Sequence, residues 1–273
     1  MKITFLGTSA GEEYPCIWCE CENCAKARKW GGKNIRRNSS VILDGDVMID
    51  IGKTAHIQAE RFGINIREIK TLLVTHSHKD HFNTHTLWTR WAVSVPLPYL
   101  DIFGSRQVHE TLLNNDRYNS ENWRINFNII EFYKKYRAGD IEIYTLDGNH
   151  PDGEIHAINY IITRKNRTFL YLSDTGWPFE KTLEAIANYK YDFIITENTH
   201  GPGAGSGGHM GLDDNLRLLD FFNKNKLWKN TPDYYITHVA PFNCPPYDEY
   251  KPVAENNGLK LAYDGLVIDY PYI

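Results

Sequence analysis

Within six residues, His76-Ser77-His78-Lys79-Asp80-His81 collects three imidazoles and one carboxylate. Neutral imidazole and carboxylate are the usual protein ligands for zinc, iron and manganese. The group follows the apolar run Thr71-Leu72-Leu73-Val74. A buried strand that empties into a loop of such ligands can fix them rigidly at one end of a sheet. The alternative is a polar loop whose histidines coincide by chance. The intact His-x-His-x-Asp-His spacing argues against it, and matching pieces further along the chain are the context that tests it. This stretch is expected to bind metal.

A second group of ligand types lies near the start. Cys16, Cys19, Cys21 and Cys24 fall within nine residues, and the fifth cysteine is Cys244. In a reducing compartment so tight a cluster reads as a metal site rather than as a pair of disulfides. Zinc takes four tetrahedral ligands, and thiolates close such a site against water.

Composition narrows the class of protein. With 42% apolar and 23% charged residues over 273 positions, the chain has the make-up of an ordinary globular protein with a sizeable core. A net charge of −4 and the absence of any run of five or more Lys/Arg give no general electrostatic case for nucleic acid. No apolar stretch approaches the length of a membrane span. Met1 to Gly7 alternates like a strand and lacks the apolar core and cleavage site of a secretory signal, so the expected location is cytoplasmic.

The elements that must position these groups follow from periodicity and turn residues. Ile3 to Leu6, Ser39 to Leu43, Val47 to Asp50 and Thr71 to Val74 read as strands, with Asp44-Gly45-Asp46 as a hairpin turn. Ala55 to Phe62 and Thr86 to Val93 read as helices, the latter stopped before Pro96 and Pro98. Further on, Ile141 to Leu146, Ile158 to Thr163, Phe169 to Leu172, Phe193 to Thr196 and Tyr234 to Thr237 read as strands. Pro178 to Tyr189 and Leu212 to Phe222 read as helices. Leu259 to Tyr263 and Leu266 to Asp269 are expected to form a last hairpin over Asp264-Gly265. Strand after strand ends in His or Asp: His76, His150, Asp174 and His238. With helices interleaved, this predicts an α/β sandwich carrying a ligand site along one sheet edge. No linker or repeat is visible, so one domain over 1–273, built from two similar halves, is expected.

The ordered set resembles the metallo-β-lactamase superfamily. The matching pieces are Val47-Met48-Ile49-Asp50-Ile51-Gly52, His76-x-His78-x-Asp80-His81, His150, Ser173-Asp174-Thr175 and Thr237-His238. The resemblance covers nearly the whole chain and implies a four-layer αββα sandwich. It implies two divalent ions, zinc or manganese: His76, His78 and His150 on the first, Asp80, His81 and His238 on the second, Asp174 bridging. A bridging carboxylate rather than a thiolate separates the chain from β-lactamases, and His78 in place of a glutamate separates it from diiron redox relatives. Two further runs, Trp18 to Arg28 and Leu87-Trp88-Thr89-Arg90-Trp91, are similar to the phosphodiesterase branch of the carbon–phosphorus lyase pathway. That branch is related to the tRNA 3′-processing nucleases. Through Gly207-Gly208-His209-Met210 it implies His209 as the catalytic histidine, acting with Asp80, and its cysteines imply a structural zinc on Cys19, Cys21 and Cys24. Its fourth zinc ligand is a histidine where this chain has Pro241; Cys244, three residues on, can fill the gap, with Cys16 as the local competitor.

Two ions about 3.5–4 Å apart can share a hydroxide and clamp the oxygens of a phosphoryl centre. The expected activity is therefore cleavage of a small or cyclic phosphodiester by that hydroxide, with His209 as general acid. The glycines before His209 suggest a loop able to close over substrate. Asp50 is expected to orient a ligand histidine from behind. A tRNA 3′-processing type nuclease, a lactonase-like ester hydrolase and a non-catalytic metal-binding subunit are the alternatives. The expected partner is a small-molecule phosphodiester, with nucleic acid less favoured, no membrane, and a homodimer left open.

Overall fold

The computed structural model describes residues 1–150 and 156–272. In chain order it forms β1 (Lys2–Gly7), α1 (Glu22–Trp30), β2 (Ser40–Leu43), β3 (Val47–Ile49), α2 (Ala55–Arg61), β4 (Thr71–Leu73), α3 (Thr84–Trp88), β5 (Leu100–Gly104), α4 (Arg106–Leu113), α5 (Ser120–Trp123) and β6 (Ile125–Ile129). The second half adds β7 (Lys135–Ala138), β8 (Ile141–Asp147), β9 (Ile158–Arg164), β10 (Arg167–Leu172), α6 (Glu180–Ala187), β11 (Phe193–Glu197), α7 (Leu212–Lys224), β12 (Tyr234–Thr237), α8 (Tyr247–Asn256), β13 (Lys260–Leu261) and β14 (Val267–Asp269). Among the described residues no helix is long and apolar enough to cross a membrane.

The strands form two seven-stranded sheets, ordered β14-β1-β2-β3-β4-β5-β6 and β13-β12-β11-β10-β9-β8-β7. Each is antiparallel on one side and parallel on the other, with β3, β4, β5 and β6 parallel in one and β10, β11, β12 and β13 parallel in the other. The two sheets are thus built on the same plan.

Alternation within the central strands explains the layers. Phe169 and Tyr171 of β10, with Phe193 and Ile195 of β11, join Phe5, Ile49 and Leu73 in a core between the sheets. The intervening Leu170, Leu172 and Ile194 face the other way, onto Ala27 of α1, Ile186 of α6, Leu218 of α7 and Tyr250 of α8. On the outer face of the first sheet, Ile42, Leu72 and Ile102 pack on Ala55, Val108, Leu112 and Trp123. Strands covered on both faces need continuous apolar runs, and their parallel pairing needs the helical crossovers. The result is the four-layer αββα sandwich.

Parallel pairing also sends several strands toward the same edge, so residues that follow their C-terminal ends are neighbours in space. Thr75 and His76 follow β4, Asp50 follows β3, Asp174 follows β10, Glu197 ends β11 and His238 follows β12. This is how residues far apart in the chain come to share one site.

Two expectations need correction. The last hairpin does not form: β13 pairs in parallel with β12 in one sheet, while β14 pairs with β1 in the other. Asp264, buried in the connection, accepts from Thr8 Oγ1, the Arg37 amide and Gln58 Nε2, and so directs the chain from sheet to sheet. The helix expected over Thr86 to Val93 instead spans Thr84–Trp88 and tightens into a 3-10 turn at Thr89–Trp91. Asn83 caps it, its side chain accepting from the His85 amide, which moves the start forward.

Candidate metal centre

Asp50 leaves β3 with φ of 62°, Asp174 leaves β10 with φ of 51°, and His238 leaves β12 with φ of 54°. Left-handed backbone is uncommon for residues with a side chain and tends to collect at functional sites. Here it turns three polar groups into one buried space. His76, His81 and Asp50 have no exposed surface, and Asp174, His150 and His238 are buried with them.

Two ligand sets converge. The side-chain donors of His76, His78 and His150 lie within 4.8 Å of one another, as do those of Asp80, His81 and His238. Asp174 stands between: its donors lie within the same limit of those of His76 and His81. Its Oδ2 is 3.0 Å from His81 Nε2 and 3.2 Å from His238 Nε2. Asp80 Oδ2 is 3.2 Å from His81 Nε2. His76 Nε2 approaches His78 Nδ1 to 2.9 Å, and His81 Nε2 approaches His238 Nε2 to 3.3 Å. Four donors at about 2.0–2.1 Å from a tetrahedral zinc would be spaced by about 3.3–3.4 Å, close to these values.

The backs of the rings are held in the manner of metal ligands. His81 Nδ1 is 2.7 Å from Asp50 Oδ2, and Asp50 is itself held by the Thr75 amide and hydroxyl. His238 Nδ1 meets Thr199 Oγ1 at 2.9 Å, and His76 Nδ1 meets Thr75 Oγ1 at 3.0 Å. His150 Nδ1 faces the Gly208 carbonyl at 3.4 Å, leaving its Nε2 buried with no partner among the described residues. A buried ring nitrogen left bare inside a ring of other donors fits a divalent cation well.

Charge agrees with that fit. Burial alone would lower the pKa of His81, but Asp174, Asp80 and Asp50 together hold it well above the usual histidine value. Burial would raise Asp174, but His238 and His81 overcome this and hold it well below the usual carboxylate range. His76 is pushed down, by burial first and then by His81. The pocket therefore demands positive charge at its middle, and a cation would replace protons there.

The site depends on close backbone packing behind it. A Cβ on Gly52 would lie 1.9 Å from the carbonyl oxygen of Asp80. This spacing lets the Ile51 amide reach the His81 carbonyl at 2.7 Å. Gly52→Ala is expected to cost about 2–3 kcal/mol in urea unfolding, as overpacking against unyielding backbone does. Asp50→Ala is expected to weaken metal binding by about 10–100-fold in a chelator titration, the usual cost of losing an outer carboxylate. Unchanged affinity would mean that Asp50 only turns the chain.

His209 enters from the second sheet's side. Its Nδ1 is 2.9 Å from Glu197 Oε1 and 4.0 Å from Asp174 Oδ1. Burial would lower its pKa, but the Glu197 carboxylate raises it to about 9. Glu197 is fully buried and serves more than His209: its oxygens also accept from the Thr175 and Met210 amides and from the Thr199 hydroxyl. Thr199 in turn meets His238, so one carboxylate steadies both His209 and a candidate ligand. Glu197 and Thr199 lie outside the sequence motifs, although Glu197 ends the apolar strand β11 just as the histidines and aspartates follow theirs.

The glycine-rich approach to His209 is more firmly fastened than the expected closing loop. Gly207 and Gly208 have φ of 57° and 82°, and the His209 amide donates to the Ser206 carbonyl at 3.0 Å. This is a type I′ turn, which glycine allows without strain. Asp214 Oδ2 accepts from the amides of Gly205 at 2.6 Å and Gly211 at 3.1 Å, pinning both sides of the turn.

The family model for the beta-lactamase superfamily domain matches residues 46–228, more than half of the chain and including all seven candidate ligands but His238. The chain belongs to the metallo-β-lactamase superfamily. Membership places it among metal-dependent hydrolases. No curated protein matches it. Among solved structures it is similar to a diphosphatase from the PhnP family, with 21% identity, 98% of this chain and 96% of that one covered, and a TM-score of 0.75. Zinc-bound PqqB from Methylobacterium extorquens is 16% identical, with 99% and 100% covered and a TM-score of 0.74. The short form of human tRNase Z is 18% identical, with 100% of both chains covered and a TM-score of 0.68. At these identities the likeness speaks for the fold.

Outside the region matched by the family model, the cysteine loop forms a separate cluster. The thiols of Cys19, Cys21 and Cys24 lie within 4.8 Å of one another. Cys16 lies in the same loop, its carbonyl accepting from the Cys19 amide. Cys244 is buried; burial pushes its thiol up to about 12 while the Arg36 guanidinium pulls the other way. Its carbonyl accepts from Asn23 Nδ2 at 3.2 Å and from the Tyr14 hydroxyl at 2.9 Å, so the loop before Cys244 is tied to the start of α1.

Proposed function

We propose that the protein is a dinuclear metal-dependent phosphodiesterase acting on a small or cyclic phosphodiester. His76, His78 and His150 would hold one divalent ion, Asp80, His81 and His238 the other, with Asp174 between them. Such ions, zinc or manganese, supply Lewis acidity toward phosphoryl oxygens and acidify the attacking water. Cys19, Cys21 and Cys24, with Cys244 as fourth ligand, would hold a structural zinc.

The observation that carries the reading is His209: its donors lie within 4.8 Å of those of His150 and Asp174, yet its Nδ1 is taken by buried Glu197 at 2.9 Å, which sets the ring beside the two ligand sets. Its Nδ1–H donates to Glu197, which keeps the ring protonated and frees Nε2–H for a departing oxygen. Asp80 keeps its carboxylate beside the same space, and Asp50, Thr75 and Thr199 hold the ligand rings in the required tautomers. An alkoxide leaving from phosphorus needs such a proton, whereas a ligand-holding protein without turnover does not. Similarity to a diphosphatase and to tRNase Z supports phosphoryl chemistry over other esters.

Elemental analysis combined with hydrolysis of bis(p-nitrophenyl) phosphate tests this. Three metals per chain are expected, two of them needed for turnover, with activity lost on chelation and restored by Zn²⁺ or Mn²⁺. A single metal per chain, or no hydrolysis with any divalent ion, would overturn it.

A further inference from the structure

We infer that His200 is a positioning residue for His209, tying the turn that carries it to the loop beside the cysteine cluster. The inference rests on His209 acting as general acid. The Ser206 carbonyl closes the type I′ turn by accepting from the His209 amide, and it also receives His200 Nε2 at 3.0 Å. A carbonyl can only accept, so with Nε2 donating to it, and the Ser206 hydroxyl oxygen accepting from the same N–H at 3.2 Å, Nδ1 of the neutral ring is left as an acceptor. Asn243 Nδ2 occupies that position at 3.1 Å. Donor and acceptor roles thus match along the whole path from Asn243 through His200 to Ser206.

The far end of the path is anchored. Asn23, next to Cys24 on α1, donates through Nδ2 to the carbonyls of Pro241 at 2.9 Å and Cys244 at 3.2 Å. The segment 241–244 is therefore gripped by the cysteine-bearing helix on one side and presents Asn243 to His200 on the other. On the catalytic side, Asp214 holds Gly205 and Gly211, which flank the turn, but His200 is the side chain that holds its corner at Ser206. Without it the turn can pivot on Gly207 and Gly208, between the two points that Asp214 holds. A displacement near 1 Å in a reacting group can cost on the order of 100-fold in rate.

The test uses two phosphodiesters of the same shape, bis(p-nitrophenyl) phosphate and diphenyl phosphate. p-Nitrophenolate leaves without a proton, whereas phenolate depends much more on an acid. His200→Ala is expected to lower kcat about tenfold on diphenyl phosphate and less than twofold on the nitrophenyl ester, with metal content unchanged. His200→Gln, whose amide can still donate to Ser206 and accept from Asn243, is expected to recover most of the loss. Equal losses on both substrates, no loss on either, or failure of the glutamine variant to recover would overturn the inference. His209→Ala measured alongside separates the two ideas. If it shows no leaving-group selectivity, the general-acid reading falls and the inference with it. If it is selective and His200→Ala is not, the inference alone falls.

Discussion

Asp174→Asn is expected to reduce the metal content of the centre and to lower turnover by about 10³-fold or more, beyond the 10–100-fold typical of outer partners. The reason lies in its position. Asp174 is within donor distance of both His76 and His81, and its Oδ2 also lies 3.2 Å from His238. Asparagine keeps the volume but replaces one oxygen with an NH₂ group, which would face the Nε2 atoms of His81 and His238 without a lone pair. It also removes the negative charge that offsets those histidines. Loss should therefore fall on both ions, because one carboxylate serves both sets. Elemental analysis and a chelator titration read the outcome directly. Retention of both ions with normal affinity would show that the two ligand sets are independent and that Asp174 bridges nothing.

The centre was legible in the sequence because each of its pieces sits just beyond an apolar strand. Thr71 to Val74 announces itself as a strand, and the histidines that follow have little choice but to lie at its end. The same holds for Tyr234 to Thr237 and His238, and for Phe169 to Leu172 and Asp174. Strands buried on both faces, such as β10 and β11, carry continuous apolar runs that local pattern finds easily. Elements set by tertiary contacts were less visible. Helix α8 contains Pro252, which lacks the amide that a helix interior ordinarily uses, yet Tyr250 and Ala254 are buried against the second sheet and the helix persists. Strands β13 and β14 flank an Asp-Gly pair that is a strong hairpin signal, and only buried Asp264 reveals why the chain changes sheets instead. Edge strands β6 and β7 carry mixed burial; β6 alternates Ile125, Phe127 and Ile129 with asparagines, whereas β7 has only Tyr136 and Ala138 among charged residues, so its pairing cannot be read from its own pattern.

Glu197, fully buried at the end of β11, contacts His209 directly and reaches His238 through Thr199. Glu197→Gln is expected to lower turnover of an ester with a poor leaving group by about 10²–10⁴-fold, the contribution of a positioned general acid. Its carboxylate accepts from His209 Nδ1, the Thr175, Thr199 and Met210 amides and the Thr199 hydroxyl. An amide of the same shape can satisfy the donors on one oxygen only; its NH₂ must face either the Thr175 and His209 donors or the Thr199 and Met210 donors. Each buried donor left unpaired costs about 1–3 kcal/mol, so a stability loss of roughly 3–5 kcal/mol is also expected, measurable by urea unfolding. Because Glu197 acts on His209 directly and on His238 through Thr199, two readouts separate its roles. Metal affinity should fall about 10–100-fold in Glu197→Gln, as for other outer partners, and remain normal in His209→Ala. Groups that act as a unit are not additive. The double variant Glu197→Gln/His209→Ala, assayed at saturating metal, should therefore turn over diphenyl phosphate little more slowly than the slower single variant. If the two losses multiply instead, Glu197 and His209 work separately, and the buried carboxylate is a structural anchor rather than the partner that keeps the imidazole protonated and aimed.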